Sequence, residues 1–233
     1  MRIKHTVLAS AIALSLGGVA ITSSADDFRP NAGHGVFVMT NDADSNEVVV
    51  FERDSRGGLH QGRSYRTGGR GSGGTIDPLT SQGSLTLSTD GRWLFAVNAG
   101  SGTLSVFRVD GTHLFLTDEV STEGSEPNAV AQHGDLVYVL NTAASSNVVG
   151  FRLRFGHLRK IDDSLSLLTG NNAGSASIAF SADGKLLSVA ERGSNSIDVF
   201  DVQADGRLGL LTNTPSVVPG AFAVTFAPNG TLI

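Results

Sequence analysis

Four polar residues recur at one point of a repeated pattern. Asn41, Asn98, Asn141 and Glu191 each follow a short, nearly continuous apolar run, at residues 36–40, 93–97, 137–140 and 186–190. An asparagine at a strand end can bond its own turn, or it can present an amide to a ligand. Glu191 puts a carboxylate where the others have a carboxamide. As a general acid or base it needs a raised pKa or a paired group; as a structural group it can pair with Arg192 or a neighbouring loop. Residues 67–82 (TGGRGSGGTIDPLTSQ) hold five glycines, with Arg63, Arg66 and Arg70 in or near them. That composition suits backbone N–H groups and Arg70 gathered around an anion. However, no Lys-Ser/Thr follows and no strand-to-helix context exists, so a long loop crossing a channel mouth is the competing reading. His34, His60, His113, His133 and His157 fall at unrelated points of the pattern. With no close His–carboxylate spacing, no metal site is expected and no cofactor is implied. No Gly-x-Ser-x-Gly turn marks a serine nucleophile.

These residues are spaced by a repeat. Residues 84–107 (SLTLSTDGRWLFAVNAGSGTLSVF) align without a gap on residues 177–200 (SIAFSADGKLLSVAERGSNSIDVF). Another copy lies between them, so the unit is about 46 residues, within the period range of propeller blades. Each copy has an alternating strand, a Ser-x-Asp-Gly turn, an apolar strand, a small-residue turn, a third strand closing on Phe107, Phe151 or Phe200, and a variable fourth strand. Asp-Gly between apolar runs is a hairpin signal. The fold class is therefore all-β, a β-propeller of four-stranded blades. The first blade covers about residues 35–65 and has no inner strand at that point. Residues 221–233 (AFAVTFAPNGTLI) match the opening of a blade. The expectation is four blades and part of a fifth, in an incomplete propeller spanning residues 26–233, with seven blades in a full-length protein.

Residues 1–25 read as a secretory signal peptide: Arg2, Lys4 and His5, then an apolar stretch, then the small residues 22–25. The expected location is periplasmic or secreted, with no transmembrane segment after cleavage. The formal charge of −5 becomes more negative once Arg2 and Lys4 are removed, which argues against a nucleic-acid partner. There is no cysteine, so the sheets must hold without disulfides.

In a propeller, the turns leading into the inner strands and the ends of the second strands meet on one face. Such a polar-rimmed concavity is where ligands gather. This nominates Arg70, Gln82, Asn98, Asn128 and Asn141 for a ligand-binding face and Glu191 as a catalytic candidate. The expected partner is a small molecule or a protein at the channel.

The blade sentence at residues 67–107 and 180–200 resembles the lactonase-type seven-bladed propellers. That family includes the propeller form of 6-phosphogluconolactonase and the carboxymuconate-cyclising enzymes. The resemblance implies a lactone-type small molecule and a site at the channel face. The family carries a His-rich motif where Glu126-Pro127-Asn128-Ala129 stands here. It carries Gly-Pro-Arg-His where Gly174-Ser175-Ala176-Ser177 stands here. Only its glutamate is matched, as Glu191. The expectation is thus an exported propeller that binds a small-molecule or protein ligand and lacks the family's catalytic residues. The alternatives are a lactonase- or cyclase-type enzyme using Glu191 and Arg70, and a surface adhesion or scaffold module.

Overall fold

A computed structural model describes residues 35–75, 81–143, 145–170 and 174–233. All of them belong to one unit, residues 31–233. The signal peptide assigned to residues 1–25, and His34, lie outside the described residues.

The repeats fold into sheets whose strands pair in chain order. The first has three strands, β1 (Gly35–Met39), β2 (Glu47–Arg53) and β3 (Leu59–Arg66). The second has β4 (Leu85–Leu87), β5 (Trp93–Asn98), β6 (Thr103–Asp110) and β7 (His113–Ser121). The third has β8 (Ser125–His133), β9 (Leu136–Ala143), β10 (Asn147–Arg154) and β11 (His157–Lys160), with β12 (Ser166–Leu167) also pairing β10. The fourth has β13 (Ser175–Phe180), β14 (Leu186–Glu191), β15 (Ser196–Val202) and β16 (Leu208–Pro215). All pairings within the sheets are antiparallel. As expected, the first blade lacks an inner strand: among the described residues β1 pairs with β2 alone. The described residues contain no helix, and so none long and apolar enough to cross a membrane.

The Ser-x-Asp-Gly turns explain why each copy begins the same way. The Ser88 hydroxyl donates to Asp90 at 2.7 Å and accepts from the Trp93 N–H at 2.9 Å. Ser181 repeats both contacts with Asp183 and Leu186, at 2.7 and 2.9 Å. The glycine closing each turn is left-handed, with φ of 69° at Gly91 and 70° at Gly184, a conformation that is unstrained for glycine. The fifth copy makes the same turn with Ala227 in place of serine. There Gly230 N–H donates to Ala227 O at 2.9 Å, and Phe226 bridges Leu232.

The core lies between the blades. Val48 and Val50 of β2 meet Leu94, Ala96, Phe107 and Leu114 of the second sheet. Phe95, Val97, Leu104 and Val106 then meet Val130, Val137, Val139, Val149 and Phe151 of the third. Tyr138, Leu140 and Val148 meet Ile178, Leu187, Val189 and Phe200 of the fourth. The middle strands β5 and β9 are therefore covered on both faces. This is why their sequences are continuously apolar rather than alternating.

Candidate functional site

The linkers between blades determine where the recurring polar residues point. Each linker follows an outer strand and lies against the next blade, through Thr67, Thr122 and Thr169. At the first joint, Asn98 is completely buried. Its Oδ1 accepts from Asn46 Nδ2 at 2.9 Å and Thr67 Oγ1 at 2.7 Å. Its Nδ2 donates to Thr103 Oγ1 at 3.0 Å and Ser105 Oγ at 2.8 Å. Ser105 in turn donates to Thr67 O at 2.8 Å. Every hydrogen-bonding position of the amide is thus used, its oxygen holding the first blade to the second and its nitrogen bonding β6 of its own sheet. At the second joint, Asn141 is again fully buried and donates to Thr122 O at 3.2 Å and Asn147 Oδ1 at 3.0 Å.

The third joint makes the same connection with carboxylates. Glu191 is 0% exposed. It accepts from Gly170 N–H at 3.1 and 3.2 Å, Ser194 Oγ at 2.8 Å and Ser196 Oγ at 3.2 Å. Asp198, also 0% exposed, accepts from the Thr169 N–H at 2.8 Å and hydroxyl at 2.9 Å, and from Asn213 Nδ2 at 2.7 Å. The linker presents N–H donors here, and a carboxylate is an acceptor without donors, so the substitution matches its surroundings. Among the described residues no ion pair joins Glu191 to Arg192.

The glycine-rich stretch is threaded between two blades. A Cβ on Gly71 would come within 2.2 Å of the Asn41 carbonyl carbon, and one on Gly100 within 2.1 Å of Gly71 O. The N–H groups of residues 69–73 all have protein acceptors: Thr67 Oγ1, Ser101 Oγ, Asp42 O, Asn41 Oδ1 and Asn41 O. None is directed at an external anion. Arg70 is exposed on this loop.

The residues at and just before the starts of the inner strands bond one another at a fixed interval. Ser81 donates to Asn128 O, Asn128 Nδ2 to Ser175 O at 2.9 Å, and Val224 N–H to Ser177 Oγ at 3.2 Å, each 47 residues apart. Gln82 is exposed, and its N–H donates to Ala176 O at 2.8 Å.

A cavity of about 310 Å³ opens where these turns meet the ends of the second strands. Its apolar lining includes Phe37, Val38 and Met39 of β1 with Leu85 and Val97, and its polar lining is Asn41, Ser72, Ser81, Ser84, Glu126, Asn128 and Thr142. A neighbouring, more polar cavity of about 440 Å³ shares Ser72, Ala99 and Glu126 with it. Of the residues nominated from sequence, Asn128 lines this space. Arg70 and Gln82 do not, while Asn98, Asn141 and Glu191 lie in the joints.

Sequence reasoning named Glu126 only within the stretch 126–129 and nominated Asn128 from it; among the described residues Glu126 is the charged side chain common to both cavities. Its φ is 54°, an unfavourable conformation for a non-glycine residue and one that costs on the order of 1–3 kcal/mol. Thr142 Oγ1 donates to its carbonyl at 3.1 Å, and the buried Pro127 follows it. The signal was a carboxylate at the start of an inner strand, within the stretch 126–129.

Antiparallel sheets of three to five strands, repeated along the chain and packed face to face, define a β-propeller of repeated blades. The chain belongs to the family described as Lactonase, 7-bladed beta-propeller, whose pattern matches residues 28–171 and 145–233. Among solved structures, it is similar to the periplasmic gluconolactonase PpgL of Pseudomonas aeruginosa, with 21% identity and a TM-score of 0.62 over 85% of this chain and 58% of that one. It is also similar to a Bacteroides uniformis protein described as a 6-phosphogluconolactonase, with 20% identity and a TM-score of 0.56 over 86% of this chain and 74% of that one. A protein from Lactobacillus plantarum gives 21% identity and a TM-score of 0.63, over 79% and 55% of the respective chains. At these identities the likeness shows the fold. No curated protein matches the chain by sequence.

Proposed function

We propose that this propeller binds a small molecule at the cavity between its first three blades and does not open lactones there. One observation carries the reading. Glu191, the residue that matches the family's glutamate, is fully buried and occupied by donors from Gly170, Ser194 and Ser196. Lactone opening needs a positioned base for water and a stabiliser of the developing oxyanion, both in reach of the substrate. Among the described residues that line the cavities there is no lysine, arginine or histidine. Export to the periplasm or beyond is part of the proposal. It is supported by the basic and apolar start of the sequence, and the P. aeruginosa neighbour is named a periplasmic protein.

The second reading is a lactonase, favoured by family membership and by neighbours named as gluconolactonases. A lactone hydrolysis assay on the wild type and Glu191→Gln separates the two. The proposal expects no hydrolysis above the spontaneous rate in either. Hydrolysis by the wild type above the spontaneous rate overturns it, and loss of that hydrolysis in the folded variant assigns the reaction to Glu191. Cell fractionation tests the location.

A further inference from the structure

The hairpin of β10 and β11 carries two features that work against folding. In a chain of net charge −5, residues 147–161 (NVVGFRLRFGHLRKI) hold three arginines and a lysine and no acid. Leu153 and Leu158 are buried on one face of the hairpin, and Arg152, Arg154, His157 and Arg159 share the other. Arg152 lies directly opposite Arg159, and like charges at such cross-strand positions are destabilising. Asp135 is shared between Arg152 at 2.8 Å and Arg154 at 3.1 Å, Asp118 lies 3.8 Å from His157, and Glu123 pairs with Lys160. Arg159 is exposed and has no ion pair among the described residues. The second feature is the turn. Phe155 is 96% exposed with a φ of 52°, a left-handed conformation that is uncommon for a bulky side chain. The corresponding turns of the other blades carry Asp54, Asp110 and Asp205. Thr117 Oγ1 donates to Gly156 O at 2.8 Å, and a Cβ on Gly156 would come within 2.7 Å of Trp93. The turn is thus braced on the second blade while the Phe155 ring is held outward. Trp93 pairs across its sheet with Arg108 and then Phe115, and Arg108 lies 4.2 Å over the exposed Phe115 ring.

The geometry points to a site at which the chain docks on an anionic lipid surface, with Phe155 entering the interface and Arg154 and Arg159 meeting headgroup phosphates. A bilayer suits these observations better than a folded partner or a nucleic acid. A fluid surface takes up a single ring at the tip of a turn without a matching pocket. Aromatic side chains flanked by Arg and Lys are the composition of interfacial anchors. Each basic residue held close to an anionic leaflet adds attraction, which fades within a Debye length. The unfavourable backbone at Phe155 and the opposed arginines are then retained for docking rather than for the fold. The tip lies at the end of β10 away from Asn147, which bonds Asn141 beside the cavity residue Thr142. Docking therefore leaves the cavity open, and the inference stands apart from the ligand reading above.

Co-sedimentation of the full chain with vesicles tests this. Vesicles of phosphatidylcholine alone are compared with vesicles containing phosphatidylglycerol. The wild type is expected to bind the anionic vesicles about tenfold more tightly, and less so as salt is raised. Phe155→Asn places in the turn a residue that tolerates a left-handed backbone. It should weaken vesicle binding by about tenfold or more while raising the melting temperature. Arg154→Gln combined with Arg159→Gln should weaken binding by roughly tenfold. The apolar start of the chain is common to all variants, so differences between them read the hairpin alone. Equal binding to both vesicles, or anionic-vesicle affinity unchanged in Phe155→Asn, overturns the inference. A lower melting temperature in Phe155→Asn also overturns it, because the ring then serves the fold. Polyglutamate bound as tightly as the vesicles, with no effect of Phe155→Asn, assigns the face to an acidic polymer and overturns the lipid site.

Discussion

Replacing Asn98 with alanine tests whether the recurring amide is a joint between blades or part of a ligand site. The substitution removes four hydrogen bonds, to Asn46, Thr67, Thr103 and Ser105, all within 3.0 Å. A neutral buried hydrogen bond contributes about 1 kcal/mol net. Each partner keeps a second bond: Asn46 to Val97 O at 3.3 Å, Thr67 to Asn46 O at 3.0 Å, Thr103 to Glu119 at 2.8 Å and Ser105 to Thr67 O at 2.8 Å. No group is stranded entirely, so the full desolvation penalty is not incurred. With the small void left behind, the expected loss is about 2–4 kcal/mol. For a domain of this size, about 3 kcal/mol corresponds to a drop of roughly 6–12 °C in Tm. Thermal unfolding followed by far-ultraviolet circular dichroism reads this directly. Arg70→Ala on the adjacent exposed loop is the control, with an expected shift of about 2 °C or less. If Asn98→Ala melts like Arg70→Ala but loses affinity for a ligand, the joint assignment is wrong and the amide belongs to the site.

Two further outcomes follow from the same structure. Gly71→Ala places a methyl 2.2 Å from the Asn41 backbone, whereas Gly91→Ala meets open space at a φ of 69°. The first should destabilise by about 2–3 kcal/mol and the second by about 1 kcal/mol, as measured by urea unfolding. The repeated turns should also show in the acid limb. The Ser88 hydroxyl holds the Asp90 carboxyl below its usual 3.8, with help from the Arg92 N–H and side chain; the Ser181 hydroxyl and Lys185 do the same for Asp183. A depressed folded pKa gives stability that is present above the unfolded value and lost as pH falls through the folded one. The wild-type urea midpoint should therefore decline below about pH 4, and Asp90→Asn with Asp183→Asn should flatten that decline. Both groups are exposed enough that the effect is small; an identical acid limb in the double variant would rule out these turns as its source.

The architecture was legible because blade structure is local. A Ser-x-Asp-Gly turn fixes its own hairpin through contacts spanning two to five residues, Ser88 to Asp90 and to Trp93. A middle strand covered on both faces must be apolar throughout, as residues 93–97 are. Strand order, the three-stranded first blade and the blade-like opening of residues 221–233 all follow from such short-range rules and from the repeat.

The site was not legible in the same way. Asn98, Asn141 and Glu191 end their strands where the sequence placed them, yet their side chains point into the joints. The groups they bond come from linkers 19–31 residues away, at Thr67, Thr122 and Gly170. The glycine-rich loop has the composition of an anion cradle, but its N–H groups are taken by Asn41, Asp42 and Ser101 from two different blades. Glu126 looked like a missing histidine and proves to be the carboxylate at the cavity. By itself, the sequence determined the repeat, the blade and the family, because those depend on periodicity and on turns of a few residues. Only the tertiary structure decided which polar groups remain free for a ligand. A hydrogen bond between blades consumes a donor or acceptor that, in the sequence alone, cannot be told from one left open to the channel.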